Sequence, residues 1–336
     1  MALSFDVLAS TLRILRDREV DNTFRTIPLL DAVKAKGNIE KVNGGSKVNH
    51  PVILAEHSSI TQLSTGYESV NLAVKDPLRT AEFDWCDFVA PVVVTEKEQL
   101  TNKGDRAVIR IAEARLKSVM GMLQREWCKQ VVAGTSTVLT ELNTLNGETS
   151  TTGFFNKAAF GAQNANTVGG IVKADFLQSW QNQVADVAGN FSANGLSKMS
   201  KLMIDTQTYA PEGEVDIILA SPLSYELYRS ALTAQERYSS MEQMRGLSGK
   251  LGLLYNGAMM YIEPNLGFAI GGGDKMSMYF LNSKLFNVYF DQDAFFEMGE
   301  MKAISGYAAM SSNIMTRTQL AISHLAGQGV LINAEA

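Results

Sequence analysis

The stretch from Asp105 to Ala133, DRAVIRIAEARLKSVMGMLQREWCKQVVA, constrains this chain more than any other. Ile109, Ala112, Leu116, Val119, Leu123, Trp127 and Gln130/Val131 recur at steps of three or four residues, while Arg106, Arg110, Glu113, Lys117 and Arg125 fall on other faces. That period predicts one amphipathic helix over 105–133. Gly104 and Asp105 offer its start, because the Asp carboxylate can accept from orphan N–H groups of the first turn. Gly134 stands where a left-handed residue would end it. At about 1.5 Å of rise per residue the helix is roughly 40 Å long, about twice the usual globular length. Such a helix crosses a whole domain and imposes a flat or extended shape on what packs against it.

The rest of the chain has the means to surround it. With 336 residues, 46% hydrophobic and 19% charged, the sequence can bury a large core and lies far from disordered compositions. Its formal charge of −5 argues against a surface that grips nucleic acid throughout, since phosphate binding needs a clustered positive field. The charge is split, however: residues 105–129 carry +3, which leaves −8 for the remainder. Cys86 and Cys128 have no second Cys or His at metal-ligand spacing, which fits synthesis in a reducing, intracellular place. The N-terminus, MALSFDVLASTLRILRDREVD, lacks a basic region followed by an apolar run, and no apolar run approaches membrane-spanning length. The expectation is a chain neither secreted nor membrane-embedded.

Taken in order, Ser4 can cap a short helix with Leu8, Leu12 and Leu15 on one stripe and Arg13, Arg16 and Arg18 on the other side. After Asn22 the chain reads as irregular. Val42-Asn-Gly-Gly45 signals a turn, and 48–56 and 60–73 read as extended segments with weak alternation and few large apolar residues, the mark of a hairpin projecting from the core. Phe83, Trp85, Phe88 and Pro91-Val-Val-Val-Thr95 suit a sheet leading into the long helix. Residues 135–170, rich in Thr, Asn, Gly and Ser, read as an exposed loop region. Phe176, Trp180, Val184 and Val187 predict a second helix closed by Gly189-Asn190. Residues 214–220 (EVDIILA) read as a buried strand, followed by Ser221 as cap, Pro222 at the first helical position and a stripe of Leu223, Leu227 and Ala231. Asn256-Gly257 predicts a hairpin in 253–263, residues 276–299 bring two strands, and Ile314, Thr316, Thr318, Leu320 and Ile322 alternate along a last one.

The catalytic inventory is sparse. Gly271-Gly-Gly273 is followed by Asp274-Lys275-Met276, without the Lys-Ser/Thr ending of a phosphate loop. His50 and His57, with Glu56 between them, lie on an extended segment and point to opposite faces, so a packed or solvated pair outweighs a metal site. His324 reads as an ordinary histidine, and Ser221 lacks a Gly-x-Ser-x-Gly elbow. Asp84/Asp87 and Asp291/Asp293 are close in sequence but have no companions that would make them an acid and base. No catalytic, cofactor-binding or metal-ligating residue is assigned. Met120, Met122, Met259 and Met260 read as packing residues.

The order of parts, together with Phe83-Asp-Trp85, Ile217-Ile-Leu-Ala-Ser-Pro222, Tyr255-Asn-Gly257 with Ile262-Glu-Pro264, Tyr279-Phe-Leu-Asn282 and Gln319-Leu-Ala-Ile322, resembles the major capsid proteins of tailed bacteriophages, the HK97-type shell fold. The resemblance spans nearly the whole chain through structural strings rather than a reactive site. It implies an α+β, HK97-like capsid fold with an N-arm (1–43), an extended loop hairpin (44–78), a peripheral domain (79–170) with a long spine helix (105–133), an axial domain (171–270) and a C-terminal sheet returning to the peripheral domain (271–336). It further implies a non-enzymatic subunit that assembles into hexamers and pentamers of an icosahedral virion shell, in the cytoplasm of a bacterial host. Its implied partners are a separate scaffolding protein, a portal, a decoration protein and non-specifically packaged double-stranded DNA, with no membrane and no cofactor. An encapsulin-like compartment sharing the fold is the nearest rival. A cytoplasmic α/β hydrolase using Ser221 is the rival from another class.

Overall fold

The computed structural model describes residues 28–54, 62, 64, 66, 69, 77–97, 118–119, 121–123, 126–127, 129–132, 153–163, 167–232, 252–263, 266, 276–295 and 297–335. The expected N-terminal arm helix, the triple glycine and the first half of the long helix lie outside them. Within 118–132 every described residue is helical, and Leu123, Trp127 and Val131 from the expected stripe are buried in the main core. Met122, off that stripe, is exposed.

Two sheets carry the fold. The first is built on the fourteen-residue strand β15 (Ala309–Ile322). Along one edge β15 pairs antiparallel with β4 (Cys86–Thr95), from Ala309↔Thr95 to Thr318↔Cys86. Its other edge is shared by β12 (Phe286–Asp291), β13 (Glu297–Met298) and β14 (Lys302–Ala303), and β1 (Ile39–Val42) adds to β12 in parallel. The expected alternation holds from Asn313 to Thr318, where Ile314, Thr316 and Thr318 point inward and Asn313 is exposed; beyond it Gln319 and Ala321 are buried as well as Leu320 and Ile322.

The second sheet runs β7 (Gln183–Asn190), β16 (Gly329–Glu335), β11 (Met276–Leu281), β8 (Ile217–Ala220), β10 (Ala258–Ile262), β9 (Leu253–Tyr255). Both of its faces are covered. Ile217, Leu219, Tyr261, Tyr279 and Val330 join the main core with Phe286 and Leu320 of the first sheet. Ile218, Met260, Met278, Phe280 and Leu331 face a second core, closed by α2 (Phe191–Tyr209) and α3 (Pro222–Ala231). Burial on both faces is why 217–220 reads as an unbroken apolar run. Residues 276–335 thus supply strands to both sheets rather than to the first alone.

A third unit is the antiparallel ladder of β2 (Lys47–Ile53) and β3 (Leu78–Asp84), paired from Lys47↔Asp84 to Ile53↔Leu78. The alternation of β2 is strict, with Val48, His50 and Val52 turned into the main core beside Ala81 and Phe83 of β3. The expectation of a weakly patterned hairpin projecting from the core is therefore corrected at its base. A histidine on the inner face and Pro51 and Ile53 on the outer one disguise the period of two.

Four further expectations are corrected. The segment after Asn22 is not irregular throughout: α1 (Pro28–Ala35) opens on proline and buries Leu29, Leu30, Ala32 and Val33. The second helix expected around 176–187 is instead a short 3-10 turn (Lys173–Asp175) followed by β7, in which Gln183, Ala185 and Val187 are buried with a period of two. Gly189-Asn190 does not close a helix there. Asn190 opens α2, its side chain accepting from Ser192 N at 2.9 Å, because asparagine caps either helix end. Residues 153–163 and 167–168 are not an exposed loop, since Phe154, Phe155, Asn156, Gln163 and Val168 are buried. On α3, Ser221 caps and Pro222 leads as expected, but Ser224 and Tyr228 are the buried positions and Leu223 is exposed. The Asn256-Gly257 turn forms as read, with φ of 46° and 88° at its two central residues.

Candidate functional site

The chemistry-bearing side chains are placed in structural roles. Ser221 Oγ accepts from Ser224 N at 3.1 Å and lies 2.8 Å from Ser224 Oγ, so it serves as a helix cap. His50 is clamped, Nδ1 at 2.8 Å from the Tyr289 hydroxyl and Nε2 at 2.9 Å from Ser323 Oγ, and burial lowers its pKa. Those bonds tie the inner face of β2 to β12 and to the end of β15. Glu56 and His57 lie outside the described residues. His324 is buried, its Nδ1 has no hydrogen-bond partner, and burial pushes its pKa down to about 4. Cys86 is a free buried thiol, pushed up to about 11 by burial and then by the charge of Asp87.

The sequence-adjacent carboxylates separate into different contacts. Asp84 lies 4.0 Å from Lys47 across the hairpin. Asp87 receives the Arg317 guanidinium at 2.6 Å and 3.2 Å, and Asp291 approaches the same guanidinium at 3.6 Å, so β4 and β12 are bridged over β15. Asp291 also accepts from Asp293 N at 3.0 Å, a turn-forming bond rather than a carboxylate pair. Among the described residues no group of three His, Cys, Asp or Glu side chains is arranged to hold a metal ion, and no helix is long and apolar enough to cross a membrane.

A buried polar centre was not foreseen from the sequence. Lys173, 0% exposed, donates to the Phe154 carbonyl at 2.8 Å and lies 3.4 Å and 3.5 Å from the side-chain oxygens of Asn182 and Gln163. Asn182 exchanges bonds with the Asn156 backbone at 2.8 Å and 2.9 Å, and Gln163 Nε2 donates to the Asn182 carbonyl at 2.7 Å. Gln181 joins the Lys173 carbonyl, at 3.1 Å, to Gly161 N, at 2.8 Å. Burial alone holds the Lys173 pKa down at about 7. The cluster of amides in Gln181-Asn-Gln183 was the signal available, but a lone Lys in a polar stretch gives no hint of burial.

What the surface offers is apolar contact. Ile53 and Leu78, cross-strand partners on the hairpin, are 70% and 57% exposed, Val89 and Val93 stand on the outer face of β4, and Tyr307 at the β14–β15 turn is 76% exposed. Single exposed apolar residues are ordinary. Here they sit on the hairpin, the outer face of β4 and the β14–β15 turn rather than around one pocket.

No family model and no curated protein sequence matches the chain. Solved structures do match it in fold. They include the capsid of an empty GTA particle (11% identity, 91% of this chain and 90% of that chain, TM-score 0.56), Gordonia phage Cozz (11%, 91% and 87%, TM-score 0.54) and the mature capsid of bacteriophage PhiM1 (12%, 88% and 85%, TM-score 0.54). The chain has the α+β fold of phage capsid subunits over about nine-tenths of its length.

Proposed function

We propose that this chain is a major capsid protein, the structural subunit of the icosahedral head of a tailed bacteriophage, and that it acts by self-association rather than catalysis. The observation that carries the reading is the match in fold to phage and GTA capsids across about 90% of both chains. The structural roles of Ser221 and His50 and the exposed apolar residues of the hairpin, β4 and the β14–β15 turn support it. A net charge of −5 suits a wall around packed DNA, because a wall that bound the genome tightly would oppose its packing and release. In this reading hexamers and pentamers form in the host cytoplasm with a scaffolding protein, close on a portal and enter the virion, with a decoration protein as a further partner. Residues 1–43 serve as N-arm, 44–78 as extended loop, 79–170 as peripheral domain and 171–270 as axial domain.

The test is to purify the chain with and without the product of the adjacent upstream gene and to image it by negative-stain microscopy. Closed shells of uniform size are expected. Shells that carry a co-purifying enzyme would assign an encapsulin-like compartment instead. A monomer that turns over generic esters, with turnover lost in Ser221→Ala, would overturn the shell reading altogether.

A further inference from the structure

The Lys173 centre anchors more than itself. Residues 153–156 form a wedge: the Phe154 ring meets Phe83 of the hairpin at 6.2 Å and Phe286 of the first sheet at 6.1 Å, while Phe155 meets Tyr279 of the second sheet at 5.5 Å. All three units of the fold therefore touch one short segment. That segment is held from behind by the Lys173 amine on the Phe154 carbonyl and by the Asn182 amide on Asn156. The next turn is fixed to the same hairpin, where Gly169 O accepts from Glu82 N at 3.0 Å, and Trp180 Nε1 donates to Val168 O.

We propose that Lys173 is the protonation-sensitive pin of this wedge, so that the docking of 153–163, and with it the setting of the hairpin against the two sheets, tightens when the amine is neutral and loosens when it is charged. The geometry supplies both halves of the argument. The amine is fully buried and its hydrogen-bond partners among the described residues are all uncharged oxygens, so a positive charge there has no counter-ion among them. Of the charged groups on the described elements around it, Arg79 and Glu82 on β3, Asp175 on the turn and Asp186 on β7 are exposed, Lys157 beside the wedge is half-buried, and none bonds to it. Opening the wedge returns the amine to water, where it takes up a proton at any pH below the ordinary lysine value near 10.4. The direction follows from linkage: the closed state binds fewer protons than the open state, so opening becomes easier as pH falls from about 10 towards 7, by about tenfold per unit, and levels off once the closed state is itself charged. The device stands on the fold alone and does not depend on the shell reading.

Hydrogen exchange of the full chain, with times corrected for intrinsic rates, tests it at pH 7, 8 and 9. Protection of the 153–163 amides is expected to rise about tenfold per pH unit, with α2 amides as a control that does not follow. In Lys173→Met, neutral and of similar length, the pH dependence should vanish whatever the absolute protection. Should the variant not fold, the 13Cε resonance of Lys173 in the intact protein decides the matter. A midpoint near 7 supports the pin, and a midpoint near that of ordinary lysines overturns it. Equal protection at all three pH values, or a dependence that survives in Lys173→Met, would equally overturn it.

Discussion

Ile53 and Leu78 face each other across the last register pair of the β2–β3 ladder, and both are largely exposed. Two aliphatic side chains left largely in solvent on the outer face of a hairpin gain little from burial within their own subunit. Replacing both with serine should leave the urea midpoint of the isolated subunit nearly unchanged, within about 0.5 kcal/mol. Shell yield by size exclusion should fall strongly. A normal yield of closed shells would show that this face meets no neighbour.

Trp127 and Met122 sit on the same helical stretch, one in the main core and the other 61% exposed. Trp127→Ala should destabilise by about 3 to 5 kcal/mol, a large share of the 5 to 15 kcal/mol that holds an ordinary domain folded. Met122→Ala should stay within about 0.5 kcal/mol. Urea melts of the two variants separate these outcomes. Equal midpoints would mean that the helix packs by another face.

Gly169 and Gly170 both have positive φ, 58° and 75°, yet a methyl group meets different surroundings at each. At Gly170 nothing lies within 4 Å, so Gly170→Ala carries only the left-handed backbone cost of about 1 to 2 kcal/mol. At Gly169 the added carbon would stand 2.8 Å from Ala81 Cβ and 3.2 Å from Ala81 Cα, backbone that cannot swing aside. Gly169→Ala should therefore lose a further 1 to 3 kcal/mol or so in thermal or urea melts. Equal losses would mean that the hairpin does not approach this turn.

His324 is buried with its pKa lowered to about 4, below the unfolded value of about 6.5. The folded state holds the imidazole neutral, so the unfolded chain binds more protons between these values. Stability from this group is complete above pH 6.5 and falls as pH drops towards 4, by about 3 kcal/mol at most. His324→Gln should narrow the gap between urea midpoints measured at pH 7 and pH 4.5. His50, lowered in the same direction, leaves a residual slope in that variant. An unchanged gap would show that His324 is already solvated in the folded protein.

Much of the fold was legible wherever neighbours in sequence decide the conformation. The Asn256-Gly257 turn, the Ser221-Pro222 helix start, the alternation of β15 and the 217–220 run each follow from steric and hydrogen-bonding rules that act over a few residues. The stripe through Leu123, Trp127 and Val131 is of the same kind, since one helix face repeats whatever it packs against.

Where the sequence misled, two periods or two roles fitted the same letters. Trp180, Val184 and Val187 satisfy a helical step, while Gln183, Ala185 and Val187 satisfy a strand. The parallel ladder offered by β16, more than a hundred residues on in the chain, selects the strand. Asn190 ends or begins a helix depending on which side is helical.

The buried centre lies beyond local rules altogether. Lys173, Asn156, Gln163 and Asn182 look like loop residues in the sequence and become interior only because the wedge of Phe154 and Phe155 carries their backbone between the hairpin and both sheets, where every polar group needs a partner. The sequence by itself determined the stripe through Leu123, Trp127 and Val131, the turns and the caps, because each depends on residues close in the chain. Only the tertiary structure decided which polar side chains are buried and which apolar ones, such as Ile53 and Leu78, are left outside. For these side chains burial is set by surfaces that meet across the chain, and no local pattern encodes it.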